Sequence, residues 1–225
     1  MVYNPITLIL APILFLSVMF FLVVIQINLV TLAFAEIGIP GDFIFMALLA
    51  SLLGSFINIP VKKIPRKVMA QESVVNIFGL RYDVPVLKRK VTVIAINVGG
   101  AIIPVLLSLY LLLKTNLWAE AILAILIMSM ITHRLARPIR GVGIALPAFI
   151  PPVFAALVSI IIVPQYAPVV AYVSGTMGTL IGADIFNIKK LGDLGAPIAS
   201  IGGAGTFDGI FLNGILAVIL ASIFV

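Results

Sequence analysis

The chain has no cysteine, one histidine and one tryptophan, and only 10% of its 225 residues are charged. Without cysteine there is no disulfide, no thiolate metal site and no cysteine nucleophile, and the redox compartment stays open. A single histidine with no cysteine partners leaves no zinc-ligand cluster. No metal and no cofactor is therefore expected. Acidic residues are scarce as well, with 8 Asp and Glu against 14 Lys and Arg and a net charge of +6. In so apolar a chain a basic excess points to cytoplasmic loops, not to nucleic-acid binding.

What the chain has in quantity is apolar surface. It is 63% hydrophobic, with a mean hydropathy of +1.30, more than a soluble domain hides. Apolar runs fall at 6–34, 43–58, 91–113, 117–132, 144–163, 167–188 and 206–225. A spanning helix needs about 20 residues. The runs predict an all-α integral membrane protein of about seven transmembrane helices, one polytopic membrane domain over residues 1–225. The first run is too long for the core of a signal peptide and is read as a retained span, tilted or broken near Gln26 and Asn28.

Charge predicts orientation. Lys62, Lys63, Arg66, Lys67, Arg81, Lys88, Arg89 and Lys90 separate the second and third runs. Arg134, Arg137 and Arg140 follow the fourth, and Lys189 and Lys190 the sixth. If every run spans, these share one side, with Lys114, Glu36, Asp42 and Glu120 on the other. The positive-inside rule then gives a multi-pass cell-membrane protein with a cytoplasmic N-terminus and an outer C-terminus.

The loop 61–90 is read as a small cytoplasmic basic hairpin between the second and third helices. SVVNIF (73–78), the turn GLRYD and residues 84–87 supply β-branched arms around glycine. Its cations either fix topology or meet anionic lipid headgroups. Asn97, beside Gly99 and Gly100, needs a polar partner at membrane depth. His133 among three arginines is read as a solvated helix end. The segment 137–152, with four prolines and two glycines, either lines a cavity or starts an ordinary helix.

The stretch 178–214 carries two carboxylates, Asp184 and Asp208, around a glycine-rich loop. A carboxylate kept near hydrocarbon is a functional hypothesis. Gly175, Gly178 and Gly182 form a small-residue ridge, and Asp184 points away from it. Asp208 falls in the first turn of the next helix if Thr206 caps it. Two carboxylates at one depth divide into acid and base. One activates water; the other protonates the leaving group. The structural alternative pairs Asp184 with Lys189 or Lys190 and leaves Asp208 at a helix dipole.

Two resemblances follow from motifs. IGADIFNI (181–188), SIGGAGTFDGIFLNG (200–214), GSFINIP (54–60) and NVGGAIIP (97–104) are similar to a prokaryotic family of uncharacterised integral membrane proteins, a domain of unknown function. The layout of the two aspartates also resembles the GxGD-type intramembrane aspartyl proteases: presenilin, signal peptide peptidase and prepilin peptidase. GSFINIPVKKIP (54–65) is similar to a prepilin-peptidase signature. This chain departs from that pattern in GAGTFD, which inserts two residues before the aspartate, in lacking a tyrosine before Asp184, and in placing LPAF (146–149) ahead of both aspartates.

The second resemblance implies Asp184 and Asp208 as catalytic residues; Gly203, Gly205, Asn97 and Pro147 are expected around a substrate. The expected function is an intramembrane aspartyl protease-like hydrolase acting on a transmembrane helical substrate. The alternative is a small proton- or cation-coupled transporter or channel with the same aspartates as ion ligands. A non-catalytic membrane scaffold is the third. The partners expected are the lipid bilayer, such a substrate and anionic headgroups at the basic loop, with no nucleic acid.

Overall fold

Prolines and strand-forming residues cut the apolar runs into shorter pieces than their hydropathy implies. The computed structural model describes residues 5–36, 39–75, 81–139, 143–191, 197–203 and 209–224. Helix α1 spans Pro5–Glu36 and α2 Gly41–Gly54. Strands β1 (Asn58–Val75) and β2 (Arg81–Asn97) follow. A π-helical turn, Val98–Ile102, leads into α3 (Ile103–Thr115), and α4 covers Trp118–Leu135. Short strands β3 (Arg137–Ile139) and β4 (Gly143–Ala145) pair before α5 (Ile150–Ile162). Helix α6 (Ala167–Thr179) runs into a second π-helical turn, Leu180–Ile185, then α7 (Ile188–Leu191). Strand β5 (Ile198–Ile201) and helix α8 (Gly209–Ser222) complete the order.

The expectation of seven spanning helices is corrected. Among the described residues three helical stretches are long and apolar enough to cross a membrane: Pro12–Leu32, Val98–Thr115 and Trp118–Leu135. Helices α2, α5 and α8 have 14, 13 and 14 residues. Each rises only about 20 Å, against about 30 Å of hydrocarbon. The causes are local. Pro151 and Pro152 fix the first turn of α5, and Pro164 follows its end. In the third run, residues up to Asn97 are β-strand. The long apolar helices make this a multi-pass membrane protein.

The small hairpin and the all-α class are corrected too. β1 and β2 pair antiparallel from Asn58↔Asn97 to Val75↔Arg81, a ribbon well beyond 61–90, with a bulge between Pro60 and Lys62. β5 adds to it in parallel, Val93↔Ile198 through Ile96↔Ile201, giving the order β1-β2-β5. A parallel partner so distant in sequence, four residues long, leaves no hairpin signal to read.

Helix α6 is the axis of the bundle, buried along nearly its whole length. It packs against α8, α4, α5 and α3. Helix α1 lies outside, with Phe15, Leu16, Phe20 and Phe21 exposed and Val23, Ile27, Val30 and Phe34 buried. That inward stripe recurs at helical spacing. Phe34 meets Tyr172 edge to face, ring centres 6.0 Å apart. Outward aromatics on such a helix suit lipid, not water.

Candidate functional site

The site begins where α6 leaves α-geometry. Gly178 and Gly182 lie flush on α4: a Cβ on Gly178 would stand 2.5 Å from Met128 Cβ, and one on Gly182 would collide with Thr132 Oγ1. These contacts need glycine, as the ridge predicted for two of its three members; Gly175 instead meets Ala155 and Ala217 at ordinary contact distances. Winding from α to π frees carbonyls, which need new donors. Thr132 Oγ1 donates to Gly178 O at 2.9 Å. Asn187 Nδ2 donates to Ala183 O at 3.0 Å and Gly182 O at 3.3 Å. Lys190 Nζ then donates to Asn187 Oδ1 at 3.0 Å.

Asp184 sits in this π turn, half-buried. Its Oδ2 accepts the Gly202 N–H at 2.7 Å. Among the described residues no other donor reaches its carboxylate. Asp184 lies outside the three helices of spanning length. Burial pushes its carboxyl up to about 6, and the Gly202 hydrogen bond pulls the other way.

Gly202 reaches Asp184 by an exacting path. It follows β5 directly, with φ +90°, and Gly203 has φ +96°. A Cβ on Gly202 would stand 2.7 Å from Ala101 N and 2.8 Å from Gly100 C. Only glycine meets both the left-handed backbone and the close approach. The loop is thus clamped between the two π turns. Ala101, Leu180 and Ile210 form one small buried cluster around it, with Ile96, Val105 and Ile201 packed on it.

Asn97 holds the first π turn. Its Oδ1 accepts the Gly100 N–H at 2.7 Å, and its Nδ2 donates to Ser55 O at 2.6 Å and Asn58 Oδ1 at 3.1 Å. Ser200 on β5 donates to the same Asn58 oxygen. The Ser51 hydroxyl donates to Gly99 O. Gly99 lies so close to α2 that a Cβ there would collide with Ser51 O. Asn97 thereby ties α2, the ribbon and β5 into one frame.

Of the residues singled out from sequence, Asp184, Gly203 and Asn97 fall at this end of the bundle. Gly203 is half-buried. Asp208 and Gly205 lie outside the described residues. Pro147 is exposed and lines a different cavity, of about 420 Å³, with Arg134 and Arg137. No group of three or more metal-ligating side chains occurs among the described residues.

Sequence reasoning missed Gly202, Asn187 and His133. His133 is half-buried, not a solvated end. Its Nδ1 lies 3.3 Å from Gly182 O and 3.2 Å from Asn187 Nδ2, and its ring meets Phe186 edge to face. The double glycine at 202–203 was the available signal for Gly202.

A family model described as "Protein of unknown function (DUF1614)" matches residues 52–220. That span takes in Asp184, Gly202 and Asn97. No curated protein and no solved structure matches the chain.

Proposed function

This chain belongs to the DUF1614 family, and we propose that it is an intramembrane aspartyl protease-like hydrolase in which Asp184 is one catalytic carboxylate. The observation that carries this reading is the junction of β5 with Asp184. β5 is an edge strand of its sheet, and the residue after it, Gly202, is hydrogen-bonded to Asp184. A sheet edge accepts an extended peptide by main-chain hydrogen bonds. A substrate helix unwound onto β5 would run its backbone toward the carboxylate. Asp184, its carboxyl raised by burial, fits the role of the protonated member of such a pair. Asp208 takes the second role on the sequence argument.

In this reading the basic end, with Lys62, Lys63, Arg134 and Arg137, faces the cytoplasm. The cations of the ribbon meet anionic headgroups there. The decisive experiment is cleavage of a helical membrane peptide by the reconstituted chain. Asp184→Asn and Asp208→Asn should each abolish it while the fold persists. A folded Asp184→Asn protein that still cleaves removes the hydrolase.

A second reading, a proton- or cation-coupled transporter, is favoured by one observation. Asp184 hydrogen-bonds a loop clamped between two π turns. Protonation would weaken that bond and free the loop, coupling charge to conformation. Flux into liposomes that depends on Asp184, without cleavage, would select this reading.

A further inference from the structure

Helix α4 ends in a surface that the hydrolase and transporter readings leave unused. Two cavities meet there and share Arg134 and Leu135 as a common rim. The larger, about 560 Å³, has an apolar wall that includes Met130, Phe154 and Phe186. The smaller, about 420 Å³, brings Arg137 beside Arg134. Both arginines are exposed, and neither forms an ion pair among the described residues. Met130, 68% exposed, stands one turn before Arg134 on the same helix. The apolar wall therefore meets the two guanidinium groups where a helix of spanning length ends.

An apolar slot capped by exposed guanidinium groups is complementary to one kind of molecule, with a hydrocarbon chain and an anionic phosphate joined end to end. A soluble anion has no use for the slot, and a zwitterionic lipid brings no net charge for the arginines. Guanidinium groups bind phosphate oxygens in bidentate fashion, and basic pockets between helices at the cytoplasmic side hold anionic headgroups.

We propose that this cleft is a binding site for a single anionic glycerophospholipid, its phosphate between Arg134 and Arg137 and one acyl chain along Met130, Phe154 and Phe186. The site is separate from the ribbon's cations, and it stands whichever function Asp184 serves.

The test uses the full chain purified in detergent with equal phosphatidylglycerol and phosphatidylcholine, and counts retained lipid by native mass spectrometry. Preferential retention of phosphatidylglycerol is expected. Arg134→Gln with Arg137→Gln should lower that preference about tenfold, roughly 1.4 kcal/mol. Lys62→Gln with Lys63→Gln should lower it by no more than about twofold, since the ribbon's cations attract headgroups without an apolar wall to hold one lipid. Equal loss in both pairs would mean diffuse surface charge and overturn the site. Unchanged retention in the arginine pair overturns it too, as does displacement of the lipid by millimolar inorganic phosphate, which would mark a soluble-anion site. If the glutamine pair does not fold, the wild-type preference is followed against salt. It should fall as ionic strength rises; a flat profile overturns the proposal.

Discussion

Asp184 Oδ2 accepts the N–H of Gly202, 18 residues on, at 2.7 Å. The contact couples the end of the central helix to the loop after strand β5. It separates two substitutions. Asp184→Asn keeps an acceptor oxygen for Gly202 and removes a buried charge, so it should not lower stability. Asp184→Ala leaves the amide without its partner, at a cost of about 1–3 kcal/mol. For the proposed hydrolase, both should lower turnover by about 100-fold or more, the scale of a general acid or base. Thermal unfolding in detergent beside peptide cleavage separates the two effects.

Protonation gives the same contact a pH signature. The Asp184 carboxyl is raised to about 6, above its unfolded value of about 4. Between those values the folded protein binds more protons than the unfolded chain. The Asp184 contribution to stability is therefore full below about pH 4, falls as pH rises towards 6, and is flat above. The midpoint of unfolding, measured from about pH 4 to about pH 8, should show this fall relative to Asp184→Asn. Parallel curves for the two proteins would contradict the burial of the charge.

The parts of this architecture that sequence reveals are those with local causes. The membrane class followed from apolar runs. Of the three glycines that spacing placed on one ridge, Gly178 and Gly182 lie against α4, whereas Gly175 meets Ala155 and Ala217. Asp184 stood out because carboxylates are costly beside hydrocarbon. Span count failed because hydropathy does not separate an apolar strand such as residues 92–97 from a helix, nor report where Pro151 and Pro164 limit α5. β5 was unreadable because its partner lies about a hundred residues away, and the frame around Asn97 joins elements that are also far apart in the chain. His133 was misread since its partners, Gly182 and Asn187, lie beyond its own helix.

Glycines at the helix contacts should divide sharply on substitution. A methyl group at Gly175 would stand 3.4 Å from Ala155 Cβ and 3.5 Å from Ala217 Cβ, ordinary contact distances. Gly175→Ala should therefore fall within about 0.5 kcal/mol of wild type. Gly99→Ala would drive a methyl onto the Ser51 carbonyl oxygen. It should cost about 3 kcal/mol, the upper range of overpacking. Unfolding midpoints for the two variants check this; equal midpoints would deny the close approach of α2 to the first π turn.

Gly202→Ala tests the loop itself. The residue combines φ +90° with three atoms within 2.8 Å of a Cβ. Backbone strain alone costs about 1–3 kcal/mol, and the contact with Ala101 adds to it. Relief requires the loop to move off the first π turn, taking its N–H from Asp184. Activity should therefore be lost with Asp184 chemically intact, and the pH dependence of stability described for Asp184 should change. Activity kept with an unchanged pH profile would mean that the loop does not position the carboxylate.

Asn97 distinguishes a framework residue from a substrate contact. Both ends of its amide are taken by the protein, the oxygen by Gly100 N–H and the nitrogen by Ser55 O and Asn58 Oδ1. Asn97→Ala strips a helix cap and leaves buried groups unpaired, a loss of about 1–3 kcal/mol. Asn97→Asp keeps the acceptor for Gly100 but turns the donor towards Ser55 into a second acceptor. It should be destabilising as well, because two oxygens then face each other in a buried site. A substrate-binding amide would behave in the opposite way, raising KM while the unfolding midpoint stayed put. Paired measurement of midpoint and KM on both variants decides between them, and the hydrogen bonds at Asn97 predict that the midpoint moves first.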